Sequence, residues 1–216
     1  MTLKNIVFDL AGVVFYWRSD ELVAEVFPDS VEQELIAVRL LGHEDWLELD
    51  RGTMPLDVAA ERAAARTGLA SERIATLLRR IPDHLVLNGQ TLALLRRLKG
   101  EGRPLFCLSN MHTETIDVLE PGHDLWSLFD GVVISCRVGA IKPEPAIYRL
   151  LLDRFELDPA ATVFVDDMQV NLDAASRFGI TVVRFESASQ CAREVATLGL
   201  LSASPQKPVL TRSERR

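Results

Sequence analysis

The chain has 216 residues, 48% apolar and 25% charged, and carries a formal net charge of −7. That is the balance of a globular chain with room for one sizeable core and a smaller inserted unit. The acidic excess argues against a face that grips nucleic acid or an anionic membrane, and no apolar run approaches the length of a membrane span.

The opening MTLKNIVFDL lacks the long apolar region and cleavage site of a secretory signal. It leads instead into the first predicted strand, Asn5–Asp9, an apolar run that ends on a carboxylate. From Tyr16 to Asn88 no convincing strand follows. DSVEQELIAVRLL, PLDVAAERAAARTG and ASERIATLLRRI all read as helices, and an insert of about seventy residues is too long for a loop. A helical subdomain over residues 16–88 is the simplest expectation.

Beyond it, GQTLALLRRLKGEG predicts a helix, Pro104–Ser109 and Gly131–Ser135 predict strands, and PAIYRLLLDRF predicts a helix opening on Pro145. Thr162–Asp166 and Thr181–Phe185 predict two more strands, separated by NLDAASRFG with its Gly179 stop signal. None of the five strands alternates strictly with polar residues, which points to parallel strands covered on both faces. The strand–helix rhythm predicts an α/β chain, a doubly wound, Rossmann-like sheet built from residues 1–15 and 89–201. Ser202–Arg216 has no apolar pattern and is expected to be a mobile tail.

Open parallel sheets bind ligands beyond the carboxyl ends of their strands. Those ends carry Asp9, Ser109-Asn110 and Asp166-Asp167, and the loop after the third strand carries Lys142 in GAIKPEP. Three carboxylates brought together are costly to ionise unless a cation joins them. Mg²⁺ takes such oxygen ligands alongside substrate phosphate. A lysine and a hydroxyl hold the remaining phosphate charge, and an aspartate aimed at phosphorus can attack it.

These residues resemble the haloacid dehalogenase superfamily. VFDLAGVV, CLSN, IKPEPAIY and VFVDDMQVN stand in the order of that family's four motifs, and the resemblance runs from Asn5 to about Leu200. The helical insert is similar to the cap that follows the first strand in one subfamily. The details look most like its small sugar-phosphate phosphatases, near the phosphatase-like domain of epoxide hydrolases. The resemblance implies a hydrolase that uses Mg²⁺ and acts on a small phosphorylated metabolite. It makes Asp9 the nucleophile and a metal ligand, and it puts Ser109 and the Asn110 backbone on the phosphoryl group. Lys142 neutralises charge, Asp167 is the direct acidic metal ligand, and Asp166 orients or binds through water. The Ala11 carbonyl is a further metal ligand, and Asn171 supports the loop from the next helix turn.

One position departs from the pattern. Phosphatases of this family usually carry a second aspartate two residues after the nucleophile, which protonates the leaving alkoxide. Here that residue is Ala11, and losing such a group typically costs about 10²–10⁴-fold. Three readings stay open: a phosphatase that protonates its leaving group otherwise, a 2-haloacid dehalogenase, or a module that binds phosphate without turnover. Dehalogenases need no metal and do not keep the acidic pair, which is intact here.

Other residues read as structural. His43, His84, His112 and His123 show no metal spacing, although His112 follows the Ser109 motif closely enough to serve as a substitute proton donor. Tyr16, Trp17 and Trp46 read as cap or hinge core, with Tyr16 and Trp17 also placed to wall a pocket. The basic runs LLRR and RRLK read as solvated helix faces. Cys107, Cys136 and Cys191 form no metal or disulfide pattern and fit reduced residues of a cytoplasmic protein, monomer or homodimer.

Overall fold

A computed structural model describes residues 2–202; the tail expected beyond Ser202 lies outside the described residues. In chain order the elements are β1 (Asn5–Phe8), β2 (Phe15–Trp17), α1 (Ser19–Val26), α2 (Ser30–Ile36), α3 (Glu44–Arg51), α4 (Leu56–Thr67), α5 (Ser71–Arg79) and β3 (Leu85–Leu87). Then come α6 (Gly89–Gly100), β4 (Leu105–Ser109), α7 (Thr113–Gly122), β5 (Gly131–Ile134), α8 (Ser135–Val138), α9 (Pro145–Arg154), β6 (Thr162–Asp166), α10 (Gln169–Ser176), β7 (Thr181–Arg184) and α11 (Ala188–Thr197).

Five parallel strands form the central sheet in the order β5-β4-β1-β6-β7. All five expected strands are present, Thr162–Asp166 with the bounds expected and the other four with one end shifted by a residue. β4 begins at Leu105 because Pro104 has no N–H for the ladder; its carbonyl accepts from Ile6 N at 3.1 Å. β1 is buried on both faces. Ile6 and Phe8 enter one apolar cluster with α6, α7 and α11, and Val7 enters a second with α9 and α10. This is the period-two consequence of a strand sandwiched by helices.

β4 lies on one side of β1 and β6 on the other, so the chain reverses direction of growth around β1. The crevice at such a switch point is where open α/β sheets place ligands. Phe8 is in register with Cys107 and with Val165, so Asp9 emerges level with the ends of both neighbours.

The interval read as strand-free contains two short strands. β2 and β3 pair antiparallel, Phe15 with Leu87 and Trp17 with Leu85, and carry the chain out to the helices α1–α5 and back. Each has three residues, too few to show a period, and their partnership spans the whole insert. The return is pinned by Asn88. Its N–H donates to Val14 O at 2.9 Å, and its side chain caps α6 by accepting from Gln90 N and Thr91 N. The insert does not pack as a separate body: Leu22, Leu49, Leu77 and Leu85 share one apolar cluster with Ile6 and Phe8 of β1.

Candidate active site

Asp9 sits one residue beyond β1, its N–H held by Val165 O at 3.0 Å. Its carboxylate is oriented at both oxygens: Oδ1 accepts from Leu10 N at 2.7 Å and Oδ2 meets Lys142 Nζ at 2.9 Å. Lys142 Nζ also reaches Asp166 Oδ2 at 2.7 Å, and all three side chains are buried. Burial pushes Asp9 up to about 7, working against the nearby Lys142 charge, with Asp166 adding to the rise. Burial opposes the Lys142 charge too, but Asp9 and Asp166 outweigh it and hold the ammonium above lysine's ordinary range.

Asp166 is saturated with donors. Besides Lys142 it accepts from Met168 N at 2.8 Å, and Asn171 Nδ2 donates to both of its oxygens at 3.1 Å. Asp167 is its opposite: half-buried, with no side chain of the described residues donating to it. Burial and the Asp166 charge raise its pKa. Adjacent residues on a strand end point apart, yet one oxygen from each of Asp9, Asp166 and Asp167 lies within 4.8 Å of the others.

Gly12 makes this possible. Its φ is +82°, a backbone that side chains rarely adopt, and a Cβ there would lie 2.4 Å from Asp167 Oδ2. The loop after β1 therefore presses its bare backbone against the Asp167 carboxylate. One lysine faces three acids, a deficit of positive charge that a hard divalent cation with oxygen ligands would fit.

Lys142 is positioned through its backbone by Asn110. Asn110 Nδ2 donates to Lys142 O at 2.9 Å, and Lys142 N donates to Asn110 Oδ1 at 2.8 Å. The Asn110 side chain is thus spent on the lysine loop, leaving its backbone as the part that can face a ligand. Ser109 is fully buried at the end of β4, beside Asp9.

A cavity of about 370 Å³ opens above these groups, with Asp9, Ala11, Asn110, Lys142 and Asp167 at its floor. Trp17, Trp46, Leu47, Ile81 and Leu85 of the insert line it, together with Met111, Met168 and Val170 from the loops and helix that follow β4 and β6. Of the aromatic residues singled out from sequence, Trp17 and Trp46 line it, whereas Tyr16 is exposed and does not. His112 lines it as well, with Nε2 2.8 Å from Thr115 Oγ1 and Nδ1 3.7 Å from Asp50 Oδ1. His43 caps α3 through Asp45 N, and His123 lies edge-on to Phe15.

Sequence reasoning missed Asp50. It ends up in the site because α3 docks against α8: Ser135 Oγ donates to Asp50 O and accepts from Met111 N at 2.8 Å. The next residue, Arg51, makes a two-pronged pair with Glu144 at 2.7 Å, two residues beyond Lys142. Gly52 closes the contact; a Cβ there would meet Cys136 O at 2.6 Å. The one local signal for this docking was the Arg-Gly ending of α3, with glycine in the left-handed conformation.

Comparison with known proteins agrees with this geometry. Residues 3–179 match the family model described as haloacid dehalogenase-like hydrolase. The chain is 28% identical over 179 residues to the sesquiterpene phosphatase astK of Aspergillus oryzae, covering 83% of this chain and 88% of that one. It is 29% identical over 218 residues to the (S)-2-haloacid dehalogenase H-109 of Pseudomonas putida, covering 96% and 93%. Among solved structures, the HAD family enzyme BT-2542 of Bacteroides thetaiotaomicron, in complex with magnesium and inorganic phosphate, superposes with a TM-score of 0.64 at 20% identity. That match covers 84% of this chain and 93% of that one. A parallel sheet with a helical insert after its first strand, four motifs meeting at one edge and a family model spanning most of the sequence lead to one conclusion: the chain belongs to the haloacid dehalogenase-like hydrolase family and is a hydrolase.

Proposed function

We propose that the protein is a Mg²⁺-dependent phosphatase that hydrolyses a small phosphate monoester through a phosphoaspartate on Asp9. The observation that carries this reading is the charge imbalance at the floor: Asp9, Asp166 and Asp167 converge within 4.8 Å, and Lys142 is shared by the first two. A bound divalent cation would neutralise the excess charge and polarise the phosphoryl group. Asp9 and Asp167 would ligate it, with the Ala11 carbonyl; Asp166, which accepts from Lys142, Met168 N and Asn171, would act by orienting.

Asp9 attacks phosphorus and the ester oxygen leaves with its electron pair, to be protonated from solvent. Water then attacks phosphorus and gives up a proton to solvent as the bond from phosphorus to the Asp9 oxygen breaks, releasing phosphate and restoring the carboxylate. Lys142 holds charge on both Asp9 and the transferring group. Ser109 and the Asn110 backbone, at the end of β4, receive the phosphoryl oxygens. Ala11 supplies no proton to the leaving oxygen, so weakly basic leaving groups are favoured. The insert walls the site from water and, in this reading, opens for exchange of substrate and product. Three unpaired thiols, Cys107, Cys136 and Cys191, suit a reducing cytoplasm, and no helix of the described residues is long and apolar enough to cross a membrane.

A dehalogenase has no use for this acidic surplus, since carbon–halogen displacement on a carboxylate substrate is hindered by three acids around one lysine. The test is phosphate release from an aryl phosphate with Mg²⁺ or chelator, alongside halide release from 2-chloropropionate. Release of phosphate that is abolished by chelator, and lowered roughly 10⁴-fold in Asp9→Asn, is expected. Halide release indifferent to chelator would overturn the reading.

A further inference from the structure

We propose that the organic part of the substrate is apolar: the cavity above Asp9 takes a phosphate on a hydrocarbon-like group rather than on a polyol such as a sugar. The phosphate end rests on the phosphatase reading; the organic end rests on the walls. Trp17, Trp46, Leu47, Leu85 and Met111 line them. At the mouth, Leu47, Met168 and Val170 are 45%, 53% and 51% exposed, so large apolar side chains that the fold leaves in water gather around one opening. Exposed apolar groups clustered in this way mark a binding surface.

Most polar side chains within reach are already engaged. His112 Nε2 meets Thr115 at 2.8 Å, Asn171 and Asn110 are spent on Asp166 and the Lys142 backbone, and the Asp50 carboxylate, 3.7 Å from His112 Nδ1, is left as an acceptor in the lining. A sugar would bury hydroxyls with few partners, which site energetics penalise strongly. Ala11 in the cavity lining extends the same character to the floor.

The test is calorimetric titration of the Mg²⁺-loaded protein with n-alkylphosphonates from ethyl to decyl, with glucose 6-phosphate alongside. Affinity should rise about fourfold per methylene until the chain reaches solvent, and hexylphosphonate should bind at least tenfold more tightly than the sugar phosphate. The double variant Leu47→Ser/Met168→Ser should flatten the slope for the longer chains. A flat slope in the unaltered protein, glucose 6-phosphate binding as tightly as hexylphosphonate, or no binding at any length would overturn the proposal. Phosphonates are not hydrolysed, so the two readings fail separately. A steep slope in a protein that releases no phosphate from any ester would keep the apolar pocket and remove the phosphatase. Turnover of sugar phosphates with no slope would do the reverse.

Discussion

The floor and the walls of the cavity are built by different rules. At the floor almost every polar atom has a named partner: Asp166 takes donors at both oxygens, Lys142 bridges two acids, and Asn110 fixes the lysine's backbone. On the walls, Trp17, Trp46 and Leu85 are held by apolar packing, and Leu47, Met168 and Val170 stand about half in water. A floor made of ladder ends and mutual hydrogen bonds is rigid, because any displacement strands a buried charge. Walls held by non-directional contacts tolerate changes of shape. The chemistry is therefore carried where the fold is over-determined, and the choice of substrate where it is not.

The largest expected effect attacks the floor. Lys142→Met leaves Asp9 and Asp166 buried without their cation. Turnover of an aryl phosphate should fall about 10³-fold, and unfolding in urea should show a loss of about 3 kcal/mol. Retention of either within a few-fold would mean the floor is less tightly determined than its contacts imply.

Ala11→Asp sharpens the comparison from the other side, since it adds chemistry at the one floor position that has none. It should raise turnover of alkyl phosphates, whose leaving oxygen needs a proton, by about 10²-fold, with little gain on nitrophenyl phosphate. Equal effects on both esters would show that protonation does not limit the reaction.

The Asp9 carboxyl gives a pH signature. Its folded pKa of about 7 lies above the ordinary 3.8, so between these values the folded state binds the proton more tightly than the unfolded chain. Stability from this group is thus lost as pH rises from about 4 to 7. Metal-free Asp9→Asn should be more stable than the parent at pH 8, by on the order of 1–3 kcal/mol, and the gap should close below pH 4. Thermal melts at both pH values decide it; a gap that persists at pH 4 would assign the effect elsewhere.

The smallest effect concerns the seam between insert and sheet. Arg51→Ala removes the two-pronged pair with Glu144, which is partly exposed, and should cost only about 0.5–1 kcal/mol in denaturant. A much larger loss would tie the walls to the floor more firmly than their chemistry indicates.

Much of the floor was legible in the sequence because its residues are local to strand ends. An apolar run marks the strand and the strand's end marks the edge, so the residues that gather there, such as Asp9 and Asp166, could be named in advance. What stayed hidden was non-local. β2 and β3 are three residues each and pair across the insert, so no period within either run announces them. Asp50 enters the site only through the docking of α3 on Ser135. The split between Trp17, which lines the cavity, and Tyr16, which does not, follows from strand alternation in β2. That alternation could be used only once the strand itself was known.

The narrow ribbon of β2 and β3 has an engineering consequence. The chain leaves the sheet and returns to it on neighbouring strands, Tyr16 opposite Val86, about one strand spacing apart. Everything between is one contiguous cassette with both ends at the same place. Simple excision would strip Leu22 and Leu77 from the apolar cluster that also holds Ile6 and Phe8. A transplanted segment of similar footprint need only match two adjacent strand ends and restore apolar cover over that cluster. Recombination at two joints would therefore exchange the cavity walls that the insert supplies while leaving Asp9, Lys142, Asp166 and Asp167 on the sheet edge unaltered.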